Sequence, residues 1–257
     1  MTVVGLQTNI AWEDRRANFS RIEHLAGSTE VPTGSLLVLP ELSTTGFTMN
    51  IAAVTEPRGG ESERFFSGLA KRHHCHVIAG IASQNDNPAL GANESVCFGP
   101  DGGEVARYRK RNPFPLAGEA DHYPGGARTV VFERNGWKVA PLICYDLRFP
   151  EPFREATALG AELFVVIANW PVARVDHWIT LLRARAIENL AYVVGVNRSG
   201  IDPHLSYPGA SLIVGPKGEI LAQAGSEPCA IRADLDREAL LEWRRDFPAL
   251  SCLNPNS

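Results

Sequence analysis

The sequence predicts an α/β protein with mixed β-sheets that are covered by helices on their outer faces. Short runs rich in Val, Ile and Leu alternate with longer amphipathic stretches along the 257 residues, as in chains that alternate strands with helices. Several apolar runs pair across turn signals such as "DGG" and "NG", and helical stretches separate these hairpins. No low-complexity linker or fixed-period repeat interrupts the chain. We therefore expect one domain over residues 1–257.

The first half of the chain is expected to begin with a strand and to alternate strands with helices. "TVVGLQTN" (2–9) is a strand, and "DRRANFSRIEHLAG" (14–27) has apolar residues at helical spacing and ends in glycine. The following elements are the strand "SLLVLPE" (35–41), the helix "ESERFFSGLAKRHH" (61–74), the strand "CHVIAGIAS" (75–83) and the hairpin "SVCFGPDGGEVARYRK" (95–110).

The second half begins with a hairpin, "TVVFERNGWKVAPLIC" (129–144), which has "NG" at its turn. A helix at about 151–159 follows, then the strand "LFVVIAN" (163–169), the helix "DHWITLLRARAIENLA" (176–191) and the strand "YVVGVNRSG" (192–200). "ASLIVGPKGEILAQAG" (210–225) is a third hairpin, and "AIRADLDREALLEWRRDF" (230–247) closes with a strand and a helix. The loop 112–127 has three prolines and a Glu-x-Asp-His. Long ordered loops are often functional, so this loop is a candidate site element.

Composition and charge argue against several kinds of partner. The net charge is −4 and the isoelectric point is about 6.0, so we expect neither nucleic acid nor an anionic membrane as a partner. No apolar run is long enough to span a bilayer. The start "MTVVGLQTNIAWEDRR" lacks the features of a signal peptide. These observations predict a cytoplasmic protein.

The cysteines and the glycine-rich turns do not predict a cofactor. Five cysteines at irregular, wide spacings form no disulfide framework and no paired metal motif, so free thiols are expected. "HHCH" (73–76) would direct its side chains to opposite faces where a helix passes into a strand, with no second ligand cluster. "GPDGG" and "GPKGE" lie in hairpin turns and lack the helix and Lys-Ser/Thr of a phosphate loop. We expect no metal and no cofactor.

Three predicted strands end in side chains that are unfavourable in a core. "LLVLP" is followed by Glu41, "VARYR" by Lys110 and "VAPLI" by Cys144. A thiol nucleophile, a carboxylate base and a cation for the oxyanion are the groups that acyl transfer requires. Taken singly, each has a simpler interpretation: a buried thiol, a surface acid and a solvated basic cluster. The catalytic interpretation requires the three to meet in space, which periodicity alone does not establish.

Three sequence blocks resemble, in order and spacing, the signature blocks of the nitrilase superfamily of carbon–nitrogen hydrolases. They are "LPELSTTGF" (39–47), "YRKRNPFPLAGE" (108–119) and "ICYDLRFPE" (143–151), and the resemblance continues through "NWPVAR" (169–174), 177–202 and 207–221. The resemblance implies a four-layer αββα sandwich with two mixed sheets, which commonly dimerises through its helical layer. It also implies a Glu–Lys–Cys triad at Glu41, Lys110 and Cys144, with Glu119 as a supporting second glutamate.

Within that superfamily, "CYDLRFPE" and "ANWPVAR" resemble the omega-amidase branch, because true nitrilases more usually carry Trp and Glu after the cysteine. This implies hydrolysis of small linear amides, above all 2-oxoglutaramate and 2-oxosuccinamate, to acid and ammonia through a Cys thioester. The block "KRNPFPLAGE" departs from the His-Leu-Phe that typically follows "KR" in bacterial omega-amidase-like proteins. An N-carbamoyl amino acid or aliphatic amide hydrolase is an alternative, as is a non-catalytic binding or scaffold member.

The expected mechanism assigns roles to further residues. The Lys110 ammonium and a helix N-terminus after Cys144 would favour the thiolate, and the backbone N–H of Tyr145 would face the oxyanion together with Lys110. Arg148 could instead form a structural pair with Asp146 or Glu151, and each aromatic residue could belong to the core. The predicted substrate-binding residues are Phe47, Arg148, Asn169, Trp170 and Arg174, with Phe114 as a further pocket wall.

Overall fold

The computed structural model describes residues 1–253, which form fourteen strands and seven α-helices. The strands are β1 Thr2–Gln7, β2 Leu36–Val38, β3 His76–Gln84, β4 Gly91–Phe98, β5 Glu104–Arg109, β6 Phe132–Arg134, β7 Trp137–Ile143, β8 Leu163–Ala168, β9 Tyr192–Asn197, β10 Ser199–Ile201, β11 Ser206–Pro208, β12 Leu212–Val214, β13 Ile220–Gln223 and β14 Cys229–Asp234. The helices are α1 Arg15–Gly27, α2 Ile51–Val54, α3 Glu61–His73, α4 Glu119–His122, α5 Pro150–Ala158, α6 Val175–Asn189 and α7 Arg237–Asp246.

Twelve of the strands form two six-stranded sheets with the same plan. The first has the order β14-β1-β2-β3-β4-β5 and the second β13-β12-β9-β8-β7-β6. In each sheet three adjacent strands pair in parallel, β1-β2-β3 or β7-β8-β9, and antiparallel strands flank them. The parallel strands are almost continuously apolar, as expected for strands that are covered on both faces. The prediction of mixed sheets is confirmed.

The two sheets pack face to face, and helices cover the outside. Val3 of β1 belongs to one buried cluster with Val165 of β8 and Val194 of β9. The next residue, Val4, points to the opposite face and packs in a second cluster with Ile22 of α1 and Leu69 and other residues of α3. Side chains of α5 and α6 also belong to the first cluster, and they pack on the outer face of the second sheet. The four layers are therefore α, β, β and α, as predicted.

Local sequence signals explain where several elements begin and end. The side chain of Asp14 accepts a hydrogen bond from the backbone N–H of Ala17 and so caps α1. The "NG" turn has Asn135 and Gly136 at φ 48° and 80°, as the tight turn between β6 and β7 requires. Glycine is needed at Gly195, where an added Cβ would lie 2.4 Å from Leu182 of α6. This contact lets α6 pack closely on β9.

The structure adds elements that the sequence pattern did not predict. Strand β4 begins at Gly91 rather than at residue 95, and the loop 112–127 contains a 3₁₀ turn, Pro115–Ala117, and helix α4. The four-residue α2 and the three-residue strand β11 were also missed, and the predicted strand 192–200 is divided into β9 and β10. Such short elements contain too few residues to establish a period. Among the helices within residues 1–253, none combines the length and the apolar character that crossing a membrane requires.

Candidate active site

The three polar residues at the strand ends come together on one side of the space between the sheets. Lys110 directly follows β5, Cys144 directly follows β7, and Glu41 lies three residues after β2. The Lys110 Nζ donates a hydrogen bond to the Glu41 Oε1 at 2.9 Å. Lys110 and Cys144 line the same pocket. Glu41 lies behind that pocket and has no exposed surface.

The backbone of both sheets holds the Glu41 carboxylate in place. Gly80 of β3 packs against the chain at Glu41, where an added Cβ would lie 2.5 Å from the Glu41 Cα. From the second sheet, the backbone N–H of Asn169 donates to the Glu41 Oε2 at 2.9 Å. The Asn169 Nδ2 donates to the backbone carbonyl of Glu41 at 2.7 Å. The carboxylate orientation is therefore fixed by groups that cannot move independently of the sheets.

A second buried acid shares Lys110 with Glu41. The Lys110 Nζ donates to the two carboxylate oxygens of Glu119 at 3.1 and 2.8 Å. The side-chain amide of Asn93 bridges the two acids, donating to Glu41 at 2.8 Å and to Glu119 at 2.9 Å. Because the ammonium donates to two carboxylates, its position is fixed by both acids. The structure thus brings Glu119 to Lys110, where the family resemblance implied it.

Cys144 occupies a sharp turn between β7 and the residues that follow. Its φ is 47°, in the left-handed region that non-glycine residues rarely adopt. A 3₁₀ turn, Cys144–Arg148, comes next, and α5 begins only at Pro150. The N-terminus that lies beside the thiol is therefore that of the 3₁₀ turn, and the predicted helix follows it at Pro150. Tyr145 is the second residue of this 3₁₀ turn, so its backbone N–H has no hydrogen-bond partner within the turn.

The pairing of Glu41 with Lys110 shifts the pKa of each group in the direction that keeps it charged. Burial acts to raise the pKa of Glu41, but the Lys110 ammonium and the hydrogen bonds described above outweigh it and hold the pKa below its ordinary value. Burial acts to lower the pKa of Lys110, but the negative charges of Glu119 and Glu41 raise it well above its ordinary value. The acid is thus ionised and the amine protonated at neutral pH.

The Cys144 thiol is held in its neutral form. Burial and the charge of Glu41 raise its pKa well above the ordinary value, and the opposing effect of Lys110 is smaller. The Lys110 ammonium does act to lower the pKa of the Cys144 thiol, as expected, but burial and the carboxylate beside the same sulfur outweigh it. A neutral thiol next to an ionised carboxylate needs that carboxylate to remove its proton before it can attack.

The pocket is narrow and combines aromatic walls with two cations. It is a small cleft that opens to the protein surface, and such concave sites take small molecules. The five predicted substrate-binding residues all line it, as does Tyr145. The full set is Phe47, Lys110, Phe114, Cys144, Tyr145, Arg148, Asn169, Trp170, Pro171, Arg174, Leu205 and Tyr207.

The two pocket arginines stack on aromatic rings instead of pairing with acids. The Arg148 guanidinium lies 5.0 Å from the ring centre of Trp170, and that of Arg174 lies 5.2 Å from the ring centre of Phe114. Within residues 1–253, neither guanidinium has a carboxylate within 4.0 Å. The alternative in which Arg148 pairs with Asp146 or Glu151 is therefore wrong. Both cations are available to an anionic ligand.

Sequence reasoning missed several residues of the site. Asn93 lies on β4, in a segment that was not predicted to be a strand, although its polar side chain among buried neighbours is the signal that could have revealed it. Leu205 and Tyr207 line the pocket from the short β10–β11 hairpin. Elsewhere, the part of the chain that the structure describes groups no three His, Cys, Asp or Glu side chains in a way that could hold a metal ion.

The fold and the pocket, in which a thiol and an ammonium lie together, have the arrangement of an α/β enzyme. The model of the carbon–nitrogen hydrolase family matches residues 2–245, and the chain belongs to this family. It is similar to Omega-amidase YafV of Yersinia enterocolitica, with 41% identity over 95% of this chain and 93% of that protein. It is also similar to a 2-oxoglutaramate amidase of Bacillus subtilis, with 35% identity over 96% and 95% of the two chains.

A solved structure supports the same assignment. A CN-hydrolase superfamily protein of Xanthomonas campestris, which carries an arsenic adduct in its active site, superposes with a TM-score of 0.88. Its sequence is 31% identical, and the match covers 98% of this chain and 96% of that one. The predicted superfamily and the αββα fold are thus confirmed, and the protein is a carbon–nitrogen hydrolase.

Proposed function

We propose that this protein is an omega-amidase, which hydrolyses the terminal amide of a small 2-oxo dicarboxylic acid monoamide to the acid and ammonia. 2-Oxoglutaramate and 2-oxosuccinamate are the substrates of this class. The observation that carries the proposal is the composition of one pocket: the Cys144 thiol and the Lys110 ammonium lie in it with two arginines that have no carboxylate partner. A linear substrate with an amide at one end and a carboxylate at the other matches this charge distribution. The names of the relatives support the same class.

The first half of the reaction forms a thioester on Cys144. Glu41 takes the proton from the neutral thiol, and the sulfur attacks the amide carbon. The negative charge that develops on the amide oxygen is stabilised by the Lys110 ammonium and the backbone N–H of Tyr145. Glu41 then delivers the proton to the nitrogen, the C–N bond breaks, and ammonia leaves. The lowered pKa of Glu41 keeps it ionised and ready for the first transfer.

The second half of the reaction releases the acid. Glu41 takes a proton from a water molecule, whose oxygen attacks the thioester carbon while the same two donors stabilise the oxyanion. The C–S bond breaks, and the thiolate regains its proton from Glu41. Glu119 keeps Lys110 in place through both halves, since both of its carboxylate oxygens accept hydrogen bonds from the ammonium.

We expect Arg148→Ala and Arg174→Ala to weaken hydrolysis of substrates that carry a carboxylate. Losing one charge-assisted hydrogen bond to a carboxylate costs about 1.5–3 kcal/mol, so kcat/KM for 2-oxoglutaramate should fall about 10–100-fold. A neutral aliphatic amide of similar length is the matched control substrate, and its kcat/KM should change less than threefold. Equal losses for the acidic and the neutral amide would show that these arginines do not recognise the carboxylate.

The substrate class is tested by a panel assayed through ammonia release. The wild-type protein should act fastest on 2-oxoglutaramate or 2-oxosuccinamate, and more slowly on N-carbamoyl amino acids, neutral aliphatic amides and nitriles. A preference for N-carbamoyl amino acids or neutral amides would favour the alternative hydrolases. If no compound of the panel is turned over and Cys144 alkylates no faster than the other four cysteines, the protein is a non-catalytic binding member.

The proposal extends to assembly and location. We propose a cytoplasmic homodimer that associates through the helical layer formed by α5 and α6. Leu159 at the end of α5 is 54% exposed and Ile187 of α6 is 49% exposed, so a second copy that packs on this layer would bury apolar surface. The proposed partner of this enzyme is its small amide substrate, with no nucleic acid or membrane partner.

A further inference from the structure

A buried carboxylate that is absent from the reaction steps connects the segment carrying Cys144 to the segment carrying Lys110. Asp146 has no exposed surface. It accepts hydrogen bonds from the Tyr108 hydroxyl at 2.8 Å and from the backbone N–H of Ile143 at 3.0 Å. The backbone N–H and the side-chain amide of Asn112 donate to it as well, both at 2.9 Å. Two of its three partner residues thus flank Lys110, and the third directly precedes Cys144.

Only a carboxylate meets the demands of this position. All four contacts are donated to Asp146, and an ionised carboxylate has about four acceptor sites and no donor. An asparagine has one acceptor oxygen and an NH₂ group that donates. Whichever way its amide is turned, the NH₂ group would face the backbone N–H of either Ile143 or Asn112. At least one of the contacts that hold Asp146 would therefore be lost without any change of size.

The link matters because Cys144 adopts an unfavourable backbone conformation. A non-glycine residue at φ 47° persists only where the surrounding structure holds it there. The bond to the N–H of Ile143 fixes the residue immediately before this turn, and Asp146 itself lies within the 3₁₀ turn that follows. Asp146 therefore fixes the turn from both sides of Cys144 and ties it to the end of β5.

We propose that Asp146 is a positioning residue that sets the placement of the Cys144 thiol relative to the Lys110 ammonium. The proposal rests on the proposed function in assigning these two groups to the reaction. Asp146 does not touch the substrate; it acts through the turn. Its loss should therefore lower kcat and leave KM nearly unchanged, because a displacement of reacting groups by about 1 Å can cost about 10²-fold in rate.

The test compares Asp146→Asn with a matched control, Glu162→Gln. Glu162 is also buried, and its carboxylate accepts from the backbone N–H of Lys138 at 3.3 Å, near the other end of the same strand β7. We expect Asp146→Asn to lower kcat about 10²-fold with KM changed less than threefold, while Glu162→Gln keeps the wild-type kcat. Thermal unfolding of both variants measures the stability lost through changing a buried acid. An unchanged kcat in Asp146→Asn, or an equal loss in both variants, would overturn the proposal.

A second readout separates this proposal from the assignment of the substrate. The rate at which iodoacetamide alkylates Cys144, followed by mass spectrometry of its peptide, requires no amide substrate. Asp146→Asn should slow this alkylation roughly tenfold, and Glu162→Gln should not. If the wild-type protein releases ammonia from no amide, the proposed function fails while the alkylation rates still decide the role of Asp146; equal rates in wild type and Asp146→Asn count against it.

Should Asp146→Asn fail to fold, Tyr108→Phe decides the question. This change removes one donor to Asp146 and leaves the three contacts from Asn112 and Ile143. We expect kcat to fall severalfold at unchanged KM. A folded Tyr108→Phe protein with wild-type kcat and wild-type alkylation of Cys144 would overturn the proposal.

Discussion

Cys144→Ala is expected to remove all measurable amide hydrolysis while leaving the fold intact. Without the sulfur no thioester forms, and the loss of a nucleophile that works together with its base typically lowers kcat by at least about 10⁴-fold. Alanine has the same backbone requirements as cysteine at φ 47°, and the void left by one sulfur atom is small. Ammonia release and thermal unfolding measure the two parts of this expectation.

A second buried cysteine provides the control. Cys97 is 2% exposed and lies in the same core cluster as Cys144, but it does not line the pocket. Cys97→Ala should therefore cost similar stability and keep full activity. In the wild-type protein, mass spectrometry of a quenched reaction should find the acyl group on the peptide that contains Cys144. Steady-state turnover in Cys144→Ala would contradict the thioester mechanism.

The strand-end residues could be predicted because each is a local anomaly in the sequence. Glu41, Lys110 and Cys144 each follow an apolar run in a place where a core residue would be expected. The strands that precede these residues, β2, β5 and β7, all end near the same pocket. Such predictions need only the period of a strand and the chemistry of its last residue.

Asn93 could not be predicted in the same way, because its position depends on strand register. It faces the two acids because β4 pairs with β3 so that Asn93 lies opposite Ala82. A shift of one residue would turn its side chain to the other face of the sheet. Register is set by the whole of the β3–β4 pair, so the polar residue among apolar neighbours marks Asn93 as unusual but does not show which groups it faces.

The pKa of Cys144 shows the same limit for electrostatics. The sequence places an ammonium and a thiol each at the end of a strand, and an ammonium near a thiol favours the thiolate. The structure places Glu41 and Glu119 around that ammonium, and burial and the Glu41 charge dominate at the sulfur. Distances within a few ångströms decide such a balance, and they follow from tertiary packing that periodicity does not describe.

Lys110→Ala is expected to lower kcat about 10²–10³-fold, the usual effect of removing one oxyanion donor. The substitution also removes the cation that holds the pKa of Glu41 below its ordinary value. Burial is then opposed only by the hydrogen bonds from Asn93 and Asn169, so the pKa of Glu41 rises, less of the base is ionised and the rate falls further. Lys138→Ala is the control, since this exposed lysine of β7 does not line the pocket. Ammonia release with the best substrate measures both variants.

The same change should make stability depend on pH in a defined direction. Without Lys110, the buried Glu41 and Glu119 carboxyls face one another, and burial and repulsion raise their folded-state pKa values above the ordinary value of 4.5. A carboxyl whose pKa is raised by folding contributes stability below its unfolded pKa and loses it as the pH rises through the folded pKa. The deficit of Lys110→Ala relative to wild type should therefore grow as the pH rises above 4.5, to about 3–5 kcal/mol at neutral pH.

The double variant Lys110→Ala/Glu119→Gln separates the two effects of the lysine. Neutralising Glu119 removes one of the two carboxylates left without a cation, so much of the lost stability should return and its pH dependence should flatten. The rate should not return, because the oxyanion still lacks its ammonium. Thermal unfolding between pH 5 and pH 8 and ammonia release on the same samples test both statements. A double variant that regains activity together with stability would show that Lys110 only neutralises the buried acids and takes no part in the chemistry.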